Sequence, residues 1–314
     1  MSTYIVQRLS LAVLTLVIVS FVAFLVLRIM PGSAAELMVS DQGYATNVND
    51  LREQLGLNDS IYTQFWDWAS KLAHGNLGTS LYSGQSITSE VIRRLPTTTL
   101  LGTLILLIGW ILGVPLGVLG AVRQGTVLDE ASRTVSVLFL AIPTFWLASM
   151  FLVFSSIWLG WAPSLRFVSF GDDPVGNLKL LIWPALIGGL PVSAGVVRVT
   201  RTLMLEVLRQ DYIRTARAKG LSAGTVLFRH GLRNASPALV TILGLQVTTV
   251  ITGAVILEQV FAIPGMGRYI VEAATRRDYP VVQAILLLTA SLLLLSNLVV
   301  DVLYGYLDPR IRVH

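Results

Sequence analysis

Six stretches of this chain are long and apolar enough to be membrane helices, and that limits the fold before any motif is considered. They lie near 9–30, 100–122, 135–159, 178–197, 239–260 and 281–306, each at or above the roughly 20 residues a helix needs to cross the hydrocarbon layer. Lipid offers backbone N–H and C=O groups no partners, so helix is the state left to them. A β-barrel needs short alternating strands instead. The composition agrees: 54% of the 314 residues are hydrophobic and 13% charged, more apolar sequence than a water-soluble core absorbs. Arg8 before the first stretch and small residues at 32–35 after it give it the look of a secretory leader. Its apolar run exceeds the roughly 7–15 residues of a leader's core, so it reads as an uncleaved anchor.

Six spans put both termini on one side, and the basic residues choose which. The N-terminus, the loops near 122–134 and 198–235 and the C-terminus carry about 13 Lys and Arg against about five acids, an excess the longer opposite side lacks. Both termini are therefore expected in the cytoplasm. The net charge of +5 follows from this topology and from anionic lipid head groups, which removes the reason to invoke nucleic acid. With no cysteine, the sequence holds no disulfide, thiol nucleophile or thiolate metal site. The expected division is an N-terminal helix at 1–30, an extracytoplasmic region at 31–99, a five-helix core at 100–306 containing a cytoplasmic loop at 198–235, and a tail at 307–314.

In the external region, 50–57 reads as a short helix ended by Gly56, and 61–72 as an amphipathic helix whose Phe65, Trp66 and Trp68 suit a membrane-interface belt. Span two spaces Gly109, Gly113 and Gly117 four residues apart, fitting either close helix packing or a pore lining. Span four crowds Pro184, Gly188, Gly189, Pro191, Ser193 and Gly195 together, a density that favours kinks and freed carbonyls. In span five Gln246, Thr249 and Gly253 share a face, which suits either interhelical hydrogen bonds or a solute route.

The loop at 198–234 is long, basic and helix-forming. Asp211 is placed to cap a helix over 212–219, Gly220 fits the position after its end, and Ser222 is placed to cap a second helix leading toward Pro237. Tyr212, Ala216 and Lys219 share a face beside Ile213, so the small Ala216 is expected to admit close contact from outside the bilayer. The plainer reading is a solvated basic loop obeying the positive-inside rule, but charge alone requires neither two caps nor a glycine stop.

Arg214, Thr215, Ala216, Arg217, Ala218, Lys219, Gly220 and Leu221, followed by Phe228 to Asn234, resemble the EAA-loop signature of binding-protein-dependent ABC permeases. More narrowly they resemble the dipeptide and oligopeptide (DppB/OppB-type) branch. The general pattern has Glu-Ala-Ala, three residues, then Gly; here the third Ala and the Gly persist as Ala216 and Gly220, while Arg214 and Thr215 fill the first two places. The likeness covers nearly the whole chain. Its further blocks are Pro31 and Gly32, Leu55 to Leu57, Gly75 to Ser80, Ile142 to Trp146, Glu258 to Arg268, Asp278 to Pro280, and Asn297, Asp301, Tyr304 and Leu307 to Arg310.

The resemblance implies an all-α integral membrane protein of the type I ABC importer permease fold in a bacterial inner membrane, carrying di- or oligopeptides. Relatives carrying nickel chelates, glutathione or other small solutes share the motifs. It implies that Asp211, Tyr212, Arg214, Thr215, Ala216, Arg217, Lys219 and Gly220 couple to an ATP-binding subunit. Pro143, Gln246, Thr249 and Gly253 become candidates for the translocation pathway, and Glu258, Phe261, Pro264 and Arg268 for docking of an extracytoplasmic solute-binding protein. A second permease chain and two ATP-binding subunits complete the assembly, with ATP and Mg on those subunits and no cofactor or metal here. No Gly-x4-Gly-Lys-Ser/Thr loop occurs in the sequence, in keeping with an engine elsewhere. Two rivals stand against this. An enzyme finds little support, since His74, His230 and His314 lie outside the spans and Asp301 is the one carboxylate well inside one. An ATP-independent secondary transporter calls for mid-membrane coupling groups and inverted repeats, neither of which is visible.

Overall fold

The computed structural model describes residues 2–29, 58–164 and 166–307. Helix α1 is Ser2–Ile29, α2 Ile61–Ala73, α3 Ile87–Val122, α4 Val127–Ala141, α5 Thr144–Leu159 and α6 Pro174–Leu208. After the short α7, Asp211–Ala218, one turn (Ala223–Thr225) and a π-helical segment (Val226–Leu232) run into α8, Arg233–Val260. Helix α9 is Met266–Thr275 and α10 Tyr279–Leu307. The expected helix at 50–57, the family residues Pro31, Gly32, Leu55 to Leu57 and Asp308 to Arg310, and nearly all of the tail lie outside the described residues.

Among the described residues five stretches are long and apolar enough to cross a membrane, and α4 with α5 makes a sixth when that pair is taken as one span. The pair corrects the expectation of a single helix at 135–159: it bends by 96° at Ile142 and Pro143. Proline lacks an N–H, and its ring pushes the preceding residue out of the helical region; Ile142 accordingly sits at φ −81°, ψ 124°. In span four the helix α6 runs on through Pro184 and Pro191, neither of which has an N–H to give the carbonyl four residues before it. At Pro237 the chain again stays helical. The Arg233 carbonyl that a residue-237 N–H would bond accepts instead from the Ser236 hydroxyl at 2.8 Å.

The described residues form two compact units. The first comprises Thr97–Ile263 and the stretch from Ser296, around α6. Its core joins Leu101 and Ile105 of α3, Leu181, Ala185, Val192 and Val196 of α6, and Val250, Ala254 and Leu257 of α8. The glycines of α3 settle their two readings. A Cβ at Gly109 would lie 2.8 Å from Val192 Cβ, at Gly113 2.6 Å from Val196 Cβ, and at Gly117 2.6 Å from Thr200 Cβ. Three successive turns of α3 thus sit against three turns of α6 at a distance only glycine permits. A bidentate ion pair fixes α4 to the same helix: Arg201 donates to both Asp129 oxygens, at 2.6 and 2.8 Å, and Gly125 N donates to Asp129 at 3.0 Å. Asp129 is buried.

The second unit comprises the described residues of Ser2–Pro96 and Pro264–Leu295. Ile87 and Val91 of α3 pack with Met266 and Ala273 of α9 and with Val281 and Ile285 of α10. The buried Asp278 holds a loop by accepting from Ser80 Oγ at 2.5 Å and Leu81 N at 3.1 Å. The expected amphipathic helix at 61–72 is α2, capped by Ser60. Two of its aromatics pack on α1. Phe65 meets Phe21 and Phe24 of α1 at 5.4 Å, and Trp68 meets Phe24 at 5.9 Å, which leaves Trp66 exposed. On α9 itself, the Tyr269 phenol is pushed up to about 12 by burial and by the negative charges of Asp278 and Glu90, with the Arg94 guanidinium 4.5 Å from its ring centre.

Candidate functional site

Helix α7 leaves α6 after a two-residue turn and ends as its sequence suggests. Gly220 has φ 76°, its N–H bonds the Arg217 carbonyl at 2.9 Å, and the Leu221 N–H bonds that of Ala216 at 3.4 Å, which together make a Schellman stop. Ser222 caps the following turn, accepting from Thr225 N at 3.4 Å. Asp211 differs from expectation. The capping position is Gln210 and Asp211 is the first helical residue, where its carboxylate suits the positive end of the helix and pairs with Arg214.

The expected outward face of α7 is also corrected. Ile213 and Ala216 are 0% and 6% exposed and pack with Val226 and Leu208, so Ala216 seats the helix on its own chain. Presented outward are Asp211, Tyr212, Arg214, Thr215, Arg217 and Lys219, with Phe228 exposed on the π-helical segment. Gly231 lets that segment approach α6, since a Cβ there would lie 3.2 Å from Met204 Cε. Helix α7 is therefore fixed at both ends, to α6 and to the segment leading into α8.

Those same two long helices line a cavity of about 280 Å³. Gly188, Pro191, Gly195 and Arg198 of α6 face Gln246, Thr249, Gly253 and Leu257 of α8, with Ile105, Leu140 and Thr144 completing the wall. The structure thus brings together three of the four pathway candidates. Pro143 is not among these lining residues and marks the break before α5 instead. No hydrogen bond to Gln246 or Thr249 side chains occurs among the described residues, in contrast to Thr252, which bonds the Thr248 carbonyl at 3.2 Å. The polar face of α8 is therefore directed at the cavity and does not tie helices together. Sequence reading missed Arg198, assigning it to the basic loop. The signal was present, because 188, 191, 195 and 198 follow a three–four–three spacing that places them on one helix face.

The docking candidates divide. Glu258 is 0% exposed and accepts from Thr98 Oγ1 at 2.6 Å, and Phe261 is buried in the core of the first unit, so neither presents a docking surface there. In the second unit Pro264 and Arg268 are half-buried, with Arg268 donating to Glu272 at 2.8 Å.

Apolar helices long enough to span a membrane, around a partly polar cavity, suit a membrane transport protein. The chain belongs to the family of binding-protein-dependent transport system inner membrane components, whose profile matches residues 113–313, while the profile for the N-terminal part of such components matches residues 1–102. It is 38% identical over 312 residues to a putative peptide transport system permease protein of Brucella abortus, covering 99% of each chain. It is 38% identical over 333 residues to the di/tripeptide transport system permease protein DppB of Pseudomonas aeruginosa, again covering 99% of each. To the oligopeptide transport system permease protein AppB of Bacillus subtilis it is 36% identical over 315 residues, 99% of this chain and all of that one. Its fold is similar to that of a chain in inward-facing structures of the MetNI methionine ABC transporter, with TM-score 0.54 and 20% identity over 69% of this chain and 96% of the other. The chain is accordingly a multi-pass ABC importer permease of the dipeptide and oligopeptide branch, a transport subunit and not itself an ATPase. The secondary-transporter reading is set aside.

Proposed function

We propose that this chain forms half of a translocation pathway for di- or oligopeptides and receives its motion through α7. The observation that carries the reading is mechanical: the outward residues of α7 ride on a helix anchored by Ile213 and Ala216 to the last residue of α6 and to the segment leading into α8, the two helices that line the cavity. Asp211, Tyr212, Arg214, Thr215, Arg217 and Lys219 contact a cytoplasmic ATP-binding subunit, Gly220 sets the turn behind them, and Ala216 acts from beneath as the seat. Closure of two such subunits on ATP and Mg moves α6 and α8 between inward-open and outward-open arrangements. A second permease chain supplies the other half. An extracytoplasmic solute-binding protein docks on the outer side, where Pro264 and Arg268 are the surviving candidates. Both termini face the cytoplasm of a bacterial cell.

The peptide assignment follows the printed names of the relatives. The same machinery would serve nickel chelates, glutathione or another small solute. Uptake of labelled dipeptide by the complex in liposomes, with and without its ATP-binding subunits, tests both parts. Peptide uptake by the permease chains alone would refute the coupling, and ATP-driven uptake of another solute with peptide excluded would refute the substrate.

A further inference from the structure

Two arginines one turn apart on α6 live in opposite circumstances. Arg201 is held by both oxygens of the buried Asp129. The Arg198 guanidinium has no ion-pair or hydrogen-bond partner among the described residues, is exposed, and lines the cavity as the one charged side chain among its described lining residues. An exposed arginine near the end of a membrane span stays hydrated without an ion-pair partner, so its guanidinium is available to an anionic group that enters the cavity. Around it stand hydrogen-bonding groups also without partners among the described residues: the Gln246 amide, whose Nε2 would lie 3.3 Å from a Cβ on Gly195, and the Thr144 and Thr249 hydroxyls. Ile105, Leu140, Val192, Val250 and Leu257 supply apolar side chains. From Gly188 to Arg198 is about 15 Å of helix, enough for a compact solute with its anionic end at Arg198.

The geometry points to Arg198 as a station for the carboxylate of the solute in transit, which rests on the peptide-importer reading and narrows it to solutes bearing a free carboxylate. A guanidinium fork matches a carboxylate with two parallel N–H···O bonds, while a lysine ammonium meets it as a point charge. Gln246 and the two threonines then serve the amide and amine groups. Because Arg198 sits toward the C-terminal end of α6, on the side of α7, the solute meets it late in passage.

The absence of cysteine makes the test direct, since Arg198→Cys introduces the sole thiol of this chain. The assembled transporter with its native partner subunits is reconstituted in liposomes, and uptake of a labelled dipeptide is measured at saturating loaded binding protein, alongside ATP hydrolysis. Arg198→Cys is expected to lower uptake about tenfold, as loss of a charge-assisted bond would. A cationic aminoethyl methanethiosulfonate reagent restores uptake several-fold. The anionic sulfonatoethyl reagent lowers it further, and a wild-type complex treated in parallel reports any effect on partner cysteines. Arg198→Lys stays within a few-fold of wild type, and stimulated ATP hydrolysis persists in every variant. Undiminished uptake by Arg198→Cys, or equal responses to the two reagents, overturns the station and leaves the importer reading standing. Absence of peptide uptake by the wild-type complex, with ATP hydrolysis intact, overturns the substrate reading and the station together.

Discussion

Placing alanine at Gly113 should destabilise the protein where alanine at Gly102, in the same helix, should not. A Cβ at 113 would lie 2.6 Å from Val196 Cβ and 2.9 Å from the Ser193 carbonyl oxygen, whereas at 102 the nearest atom, Val250 Cγ1, is 3.6 Å away. Carbon pairs prefer about 3.5–4.0 Å, so α3 and α6 must part by about 1 Å to admit the first and not at all to admit the second. Both changes gain the same helix propensity, about 1 kcal/mol over glycine, and this term cancels in the comparison. What remains is overpacking at Gly113, about 1–3 kcal/mol, with lost dispersion at the neighbouring Gly109 and Gly117 contacts adding to it. The assay is the monodisperse fraction surviving graded heating in mild detergent, read by size-exclusion chromatography for both variants and the parent. Gly113→Ala should melt several degrees below Gly102→Ala. Should the two melt together, the close approach of α3 and α6 is not what holds this bundle.

Removing one partner from the ion pair between α4 and α6 leaves a buried charge: Asp129→Ala is expected to cost about 3–5 kcal/mol, and Asp129→Leu with Arg201→Met should recover most of it in the same melting assay. Gly220→Val forces a β-branched residue to φ 76°, costing about 1–2 kcal/mol at the end of α7; ATP hydrolysis should continue while uptake falls, with membrane insertion unchanged. Tyr269 should remain a neutral phenol in ultraviolet titration until about pH 12. Unfolded tyrosine ionises near 10, so above that pH the unfolded chain binds fewer protons than the folded one, and the contribution of Tyr269 to stability should be lost as pH rises from about 10 to about 12.

The membrane helices were legible in the sequence because apolar length is a one-dimensional property. What escaped was decided by partners distant along the chain. The 135–159 run looked continuous, since hydropathy does not register that Pro143 expels Ile142 from the helix, whereas Pro184 and Pro191, identical in kind, leave α6 intact. The glycine spacing of α3 was visible, but the choice between packing and pore waited on finding Val192, Val196 and Thr200 opposite. On α7 the periodicity placed Tyr212, Ala216 and Lys219 on one face, whereas Ala216 turns inward beside Ile213 and the other two stay exposed, because the seat on Val226 and Leu208 is set by residues outside the helix. Gln246 and Thr249 were found by spacing; Arg198 was hidden because a basic residue at the inner end of a span already had an explanation in topology.

The seat beneath α7 has a consequence for how quickly and how far a push can travel. Ile213 is enclosed against Leu208, the last residue of α6, and Val226, the first of the π-helical segment that continues into α8. A close-packed joint of this kind has little compliance, so under the coupling proposed above a displacement of α7 would be shared between two levers and not absorbed in a hinge. Both levers reach the chamber from opposite walls, and turning one relative to the other changes its width without any side chain there having to sense the nucleotide.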